Sequence, residues 1–279
     1  MLRIVMDTTG DLGEDWQEKY DINLIPINII HHGTSYRQGI DINYDDFYRI
    51  IEEEGIIPTT SQPTPYQFVE FYKKIAKPGD DILSIHITEK LSGTMASARQ
   101  AAEMLKDEYN IHPFDSASGA ACMGMMCKEA RLMERAGGSL ASIWDKLSMI
   151  RQKMVFLFTL DTVKFARLSG RINSFEAILA SVLDIKPILE VQNGFIETID
   201  KVRTRKSSLA RLIRYMQGKM GEQPLHMAVA HAHDLAAGEL ILEQVKKMFN
   251  CVDIVFTEVS ISLATHFGPG AIGLAAYPA

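Results

Sequence analysis

Short apolar runs alternate with stretches of helical spacing through the first half of this 279-residue chain, and that alternation restricts the fold more than any other feature. Leu2–Met6, Asn23–Ile30, Asp81–Ile87 and Ile111–Phe114 have the length and apolar content of buried strands. Between them, Tyr44–Glu54 repeats apolar residues at Phe47, Ile50 and Ile51, with Asn43 placed as its N-cap. Thr64, Pro65 and Gln67 form a helix-start signature, after which Phe68, Phe71, Tyr72 and Ile75 share one face until Pro78-Gly79. Ser92–Tyr109 and Ala117–Ala136 are also spaced as helices. Strands and helices in this order make a mostly parallel sheet covered on both faces. An N-terminal α/β domain over residues 1–154 is therefore predicted.

The texture changes near residue 155. Ile185–Val191 and Phe195–Val202 flank Gln192-Asn193-Gly194, and Asn-Gly between two such runs marks a hairpin. Val155–Leu160, Leu225–Ala232, Val252–Val259 and Ala271–Tyr277 supply further strands. Asp161–Ser169, a Ser174-capped Phe175–Leu183, Lys206–Met220 and Ala236–Phe249 supply helices. Hairpin and crossover units together predict a second α/β domain with a mixed sheet over residues 155–279.

Composition narrows the function. A formal net charge of −6 is the wrong sign for nucleic acid as the main partner. Three cysteines, Cys122, Cys127 and Cys251, with no Cys-x-x-Cys pair, fit reduced thiols in a cytoplasmic protein rather than a disulfide framework. The N-terminal apolar run is too short for a signal peptide and ends in Asp7, and no stretch reaches the length of a membrane span. Any membrane contact is expected to be transient and peripheral.

Two hydroxyl-rich loops stand out, Thr59-Thr60-Ser61-Gln62-Pro63-Thr64-Pro65 and Leu91-Ser92-Gly93-Thr94, each leading into a helix. Helix starts carry unpaired N–H groups and partial positive charge, so they seat anions. The Ser92 loop, Asp7 and Asp115 all follow strands that deliver them to the carboxyl edge of a parallel sheet, where ligands sit. A third segment, Thr265-His266-Phe267-Gly268-Pro269-Gly270, offers a histidine to the same acidic head group.

Other motifs carry less. Gly268-Pro269-Gly270-Ala271-Ile272-Gly273 matches the dinucleotide pattern in letters only, since six residues follow Gly273 and no acidic position lies beyond; no nicotinamide or flavin cofactor is expected. No phosphate loop for ATP occurs. His231-Ala232-His233-Asp234 is more simply a polar turn than a metal site. The basic run Lys201-Val202-Arg203-Thr204-Arg205-Lys206 is either a solvated strand end or an anion clamp. A hydrolase using Ser92, His266 and Asp7 or Asp115 stays open, although no Gly-x-Ser-x-Gly elbow is present.

Six segments in order resemble the motif series of the DegV family: Asp7-Thr8-Thr9-Gly10-Asp11-Leu12, Thr60-Ser61-Gln62-Pro63, Leu91-Ser92-Gly93-Thr94, Gly170-Arg171-Ile172, Lys201-Val202-Arg203 and His266-Phe267-Gly268-Pro269-Gly270. Thr8 and Gly10 stand where the family more often has Ser and Ala, and Phe267 where Thr is common. The resemblance implies a two-domain α/β protein with a long-chain fatty acid buried between the domains. It also implies that Thr60, Ser92 and His266 hold the carboxylate; on that reading Ser61 and the Gly93 amide are expected to join them, and Arg203 to touch the head group or a partner. A separate ATP-binding fatty acid kinase subunit is the implied partner; it phosphorylates the carboxylate, and the acyl phosphate enters phospholipid synthesis. Ile178, Leu179 and Leu183 are candidates for the tunnel wall. A serine esterase acting through Ser92, and a lipid transfer or sensing protein without a kinase, are the alternatives.

Overall fold

The computed structural model describes residues 1–172 and 185–279. The expected Phe175–Leu183 helix, its Ser174 cap and the tunnel candidates Ile178, Leu179 and Leu183 lie outside the described residues. Two compact units divide the chain, Met1–Arg151 and Gln152–Ala279.

The first unit begins β1 (Leu2–Asp7), α1 (Trp16–Lys19), β2 (Ile22–Ile25), β3 (Asn28–His31), β4 (Thr34–Arg37), α2 (Tyr44–Glu54) and β5 (Thr59–Ser61). It continues α3 (Pro65–Ile75), β6 (Asp81–His86), α4 (Thr94–Met104), β7 (Asn110–Asp115), α5 (Ala121–Arg135) and α6 (Leu140–Lys153). Four strands make an all-parallel sheet in the order β2-β1-β6-β7. Ile4, Val5 and Met6 on β1 and Ile82, Leu83 and Ile85 on β6 are wholly buried, as strands covered on both faces must be. Phe68, Val69 and Tyr72 of α3 pack with Val5, Ile25 and Ile82 and with Ala98 and Ala101 of α4. Asn43 and Thr64 both close capping boxes at the starts of α2 and α3.

Three boundaries differ from the sequence expectation, each for a local reason. The apolar run Asn23–Ile30 is two strands, because Pro26 falls between them and cannot donate to a ladder. The first part joins the parallel sheet, and the second forms a small antiparallel sheet in the order β4-β3-β5. The helix expected from Ser92 starts at Thr94 with Gly93 as N-cap. The helix expected from Ala117 starts at Ala121, because Ala117 and Ala120 take φ of 50° and 53°. On α5, a Cβ at Gly124 would stand 2.2 Å from the Asp11 carbonyl oxygen, so glycine lets the helix meet the loop after β1.

The second unit runs β8 (Val155–Thr159), α7 (Lys164–Ser169), β9 (Lys186–Gln192), β10 (Phe195–Val202), α8 (Arg205–Met220), β11 (Leu225–His231), α9 (Leu235–Met248), β12 (Cys251–Glu258), α10 (Ile261–Phe267) and β13 (Ile272–Pro278). Its mixed sheet has the order β10-β9-β8-β13-β11-β12, with β11 and β12 parallel and the other neighbours antiparallel. Asn193 and Gly194 join β9 to β10 with φ of 51° and 84°, the backbone a two-residue primed turn needs. Leu212, Ile213 and Met216 of α8 bury against Leu157, Ile188, Met227, Val229 and Leu274. Among the described residues, no helix is long and apolar enough to cross a membrane.

Candidate functional site

Within the first unit, the two hydroxyl-rich loops meet. Thr60 lies on β5, paired with Ile29 of β3, and is half-buried; Ser61 pairs with Asn28 and is exposed. The sequence suggested a loop here, but Thr59–Ser61 is a short strand held by β3. Gln62 follows it and reaches the second loop: a Cβ built on Gly93 would stand 2.5 Å from Gln62 Nε2. Ser92 precedes the N-cap of α4, half-buried, with Oγ 2.9 Å from Thr94 Oγ1 and accepting the Thr94 N–H at 3.3 Å. The N-cap residue Gly93 has no side chain to cap α4, and Ser92 Oγ covers the first helix N–H instead. Ser92, Gly93 and the start of α4 thus bring a hydroxyl and helix-start N–H groups together next to Gln62, a kind of arrangement that favours negative charge.

Asp7 does not join that arrangement. Its carboxylate is buried and accepts from His86 Nδ1 at 2.9 Å, from the Ile87 N–H at 3.0 Å and from the Thr9 N–H at 3.0 Å. His86 Nε2 lies 2.7 Å from Ser84 Oγ, which lies 2.8 Å from the Tyr72 hydroxyl. Burial would raise the Asp7 carboxyl, but the His86 hydrogen bond and charge, with the Thr9 side-chain and backbone hydrogen bonds, hold it below its ordinary range. Burial pushes the Tyr72 hydroxyl up, so it stays protonated and shares a hydrogen bond with Ser84. The result is a relay, Tyr72 to Ser84 to His86 to Asp7, in which all four side chains are sealed from solvent. Asp115 is occupied in its own turn, accepting the Ala117 N–H at 2.8 Å. The relay was missed in the sequence, where Ser84 and His86 show only as polar positions two apart in an apolar strand.

In the second unit, His266 lies in the last turn of α10, where the sequence suggested a loop. It is half-buried, and its imidazole is pulled down to about 4, by burial first and then by the Arg171 charge. A neutral imidazole offers one N–H donor. The following turn fixes the end of the helix. Gly268 has φ of 75°, and a Cβ there would stand 2.5 Å from the Phe165 ring. The Gly270 N–H donates to the Ala232 carbonyl at 2.7 Å. Arg171 had a place in the motif series but no role; its influence on His266 is the role sequence reasoning missed.

The basic run divides. Arg203 is exposed, whereas Arg205 donates to Asp234 at 2.9 Å and lies 3.9 Å from Asp161. Asp234 also caps α9, accepting the Ala237 N–H at 3.1 Å. The His231-Ala232-His233-Asp234 segment is therefore a capping turn. Cys122 and Cys127 are fully buried, and burial pushes the Cys122 thiol up to about 12, which makes packing their role.

A four-stranded parallel sheet in the first unit and a six-stranded mixed sheet in the second define a two-unit α/β protein. The sequence matches the family model described as "Uncharacterised protein, DegV family" over residues 1–279, and the chain belongs to the DegV family. It is 34% identical to a DegV domain-containing protein of Listeria monocytogenes, over 98% of this chain and 97% of that one. A structure described as DegV, a fatty acid binding protein from Bacillus subtilis, superposes with a TM-score of 0.89 at 27% identity, covering 100% of this chain and 99% of that one. A structure described as showing fatty acid binding of a DegV family protein from Thermus thermophilus gives 0.90 at 26% identity, with coverage of 100% and 99%.

Proposed function

We propose that this chain binds a long-chain fatty acid and presents it to a separate ATP-dependent kinase subunit, which forms the acyl phosphate used in phospholipid synthesis. The observation that carries the first half is the whole-chain likeness to the Bacillus subtilis and Thermus thermophilus proteins, both described as fatty acid binding and both above 25% identity. In this reading Thr60, Ser61, Ser92 and the Gly93 amide hold the carboxylate, the positive end of α4 favours its charge, and neutral His266 donates one further hydrogen bond. An acyl tail gains about 0.8 kcal/mol for each buried CH₂, so a long tail supplies most of the affinity and the polar residues set its direction. The kinase half rests on the resemblance to the DegV motif series, and the lack of a phosphate loop in this chain is consistent with ATP being held by a partner. Arg203 is exposed, which in this reading suits a contact with that partner, the head group being the alternative.

Native mass spectrometry of the purified protein, followed by denaturing extraction and lipid identification, tests the binding. One fatty acid per chain, of roughly C14–C18 length, is expected. A lipid-free chain that also takes up no added fatty acid overturns the reading, and stoichiometric labelling of Ser92 by a fluorophosphonate then assigns the esterase alternative. Phosphate transfer from ATP to the bound acid, dependent on both this chain and a kinase subunit from the same cell, tests the presentation step.

A further inference from the structure

Outside the proposed carboxylate seat, three metal-ligating side chains converge at one corner of the first unit. His31 Nε2 lies 3.2 Å from Glu54 Oε2, and His32 Nε2 lies 3.0 Å from the same oxygen. The three ligand atoms all fall within 4.8 Å of one another. Adjacent residues on a strand point to opposite faces, so two consecutive histidines do not normally share a target. Here they do, because the chain turns between them. His31 ends β3, and His32 with Gly33 forms the two-residue loop to β4, at φ of 49° and 76°. The left-handed backbone at His32 swings its ring to 4.2 Å from that of His31, centroid to centroid.

Each of the three residues stands where local rules favour another. The first position of such a turn is ordinarily Asn, Asp or Gly. Glu54 ends α2, beside Glu52 and Glu53, with no basic residue in the last turn and with the helix dipole opposing negative charge there. His31 is 8% exposed, and its Nδ1 is buried without a hydrogen-bond partner, which leaves Nε2 to carry the polar contacts of a buried ring. A single cation resolves these conflicts together. It neutralises the carboxylate at the helix end and engages both imidazoles through Nε2. It also ties the β3–β4 hairpin to α2.

We propose that His31, His32 and Glu54 form a binding site for a divalent cation of the zinc class. Two neutral imidazoles and one carboxylate are a common zinc ligand set, and a fourth position is left for water. With metal–ligand bonds near 2.0–2.1 Å, tetrahedral ligands stand about 3.3 Å apart, so both His–Glu distances already lie within a few tenths of an ångström of that spacing. The acceptor that usually braces the far nitrogen of a metal-bound histidine is missing at His31 Nδ1, which sets the affinity about 10–100-fold below that of a site with the brace in place. The site shares no residue with the proposed carboxylate seat and stands independently of the lipid reading.

The test is calorimetric titration of the full-length, chelator-treated protein with Zn²⁺. The expected result is saturable one-to-one binding, weakened at least tenfold by His32→Ala and by Glu54→Gln, with the thermal midpoint of the unaltered chain rising by about 5 °C at saturating Zn²⁺. His32 is exposed and Glu54 ends its helix at the surface, so both variants are expected to keep the circular dichroism of the parent. Absence of saturable binding at about 100 µM Zn²⁺ overturns the proposal. So does binding of undiminished affinity in both variants, because the metal is then held elsewhere on the chain.

Discussion

His86 Nδ1 and Asp7 Oδ2 meet at 2.9 Å at the carboxyl ends of the two central strands of the parallel sheet, β6 and β1, with neither side chain reaching solvent. This pairing takes the first acidic residue of the family-like motif series out of any acid–base role at the proposed carboxylate seat and makes it a structural anchor. Thr9, two residues on, is held by the same carboxylate, and its carbonyl accepts the Ala120 N–H at 3.0 Å. The loop after β1 and the turn before α5 are thus both tied to Asp7.

Removing one partner leaves the other buried with unmet hydrogen bonds. His86→Ala is expected to lower stability by about 3–5 kcal/mol, as is usual for breaking a buried pair. Urea denaturation of the two proteins at neutral pH checks this. Because the folded Asp7 carboxyl is held below its ordinary value, its contribution is full above about pH 4 and is lost as pH falls through the folded value. In His86→Ala the acid sensitivity of that range should shrink.

The fold was legible because the helices announce themselves locally. Asn43 and Thr64 with their N3 partners, and Asn193-Gly194 between two apolar runs, specify elements without reference to the rest of the chain. What escaped was set by distant contacts. Thr59–Ser61 has no strand pattern of its own and becomes β5 only because β3 offers an edge. Thr265, His266 and Phe267 precede a Gly-Pro-Gly turn and read as loop, yet α10 runs through them to Gly268. The residues proposed to hold the carboxylate show in the sequence as hydroxyls near helix starts. The Gln62–Gly93 approach, which joins the two loops, was not, since it depends on the sheet register that fixes β5.

Gly268 is expected to tolerate no side chain. Its φ of 75° already disfavours any L residue, and a Cβ would overlap the Phe165 ring at 2.5 Å. Phe165 is buried on α7, in an interior where a ring gives way only at a cost. Gly268→Ala should therefore cost about 2–3 kcal/mol of stability, read as a lower thermal midpoint. Gly79→Ala shares a positive φ, 86°, but meets nothing within 4 Å, and should cost about 1 kcal/mol. The difference between the two isolates the ring overlap from the backbone term.

Ser92→Ala is expected to weaken fatty acid binding about tenfold, the worth of one hydrogen bond to a charged group. The double variant Ser92→Ala, His266→Ala should lose about a hundredfold if the two act on the same carboxylate. Displacement of a fluorescent fatty acid measures both. Unchanged binding in the double variant removes these residues from the head-group assignment.

Arg203 is exposed at the end of β10, while Arg205 is occupied by Asp234 and Asp161. Arg203→Ala is therefore expected to leave bound fatty acid unchanged and to slow its phosphorylation by the kinase subunit about tenfold. A loss of lipid from the purified variant would instead make Arg203 a head-group ligand.

His266 gives the pH signature of the site. Burial and the Arg171 charge pull its imidazole down to about 4, against an ordinary value of 6.5. Between these values the unfolded chain binds more protons than the folded one at this residue, so stability rises with pH across that interval and is flat above it. The full span corresponds to about 3 kcal/mol, lost as pH falls from 6.5 to 4. His266→Gln keeps a neutral N–H donor and cannot titrate, so it should flatten this part of the stability profile while largely preserving fatty acid retention at pH 7. Across pH 5–8 the imidazole stays neutral in the parent, and retention should vary little through that range. Denaturant midpoints at half-unit pH steps, paired with lipid retention at each step, read both quantities. A midpoint profile for His266→Gln that overlays the parent from pH 4 to 6.5 would remove the buried, neutral histidine from the account.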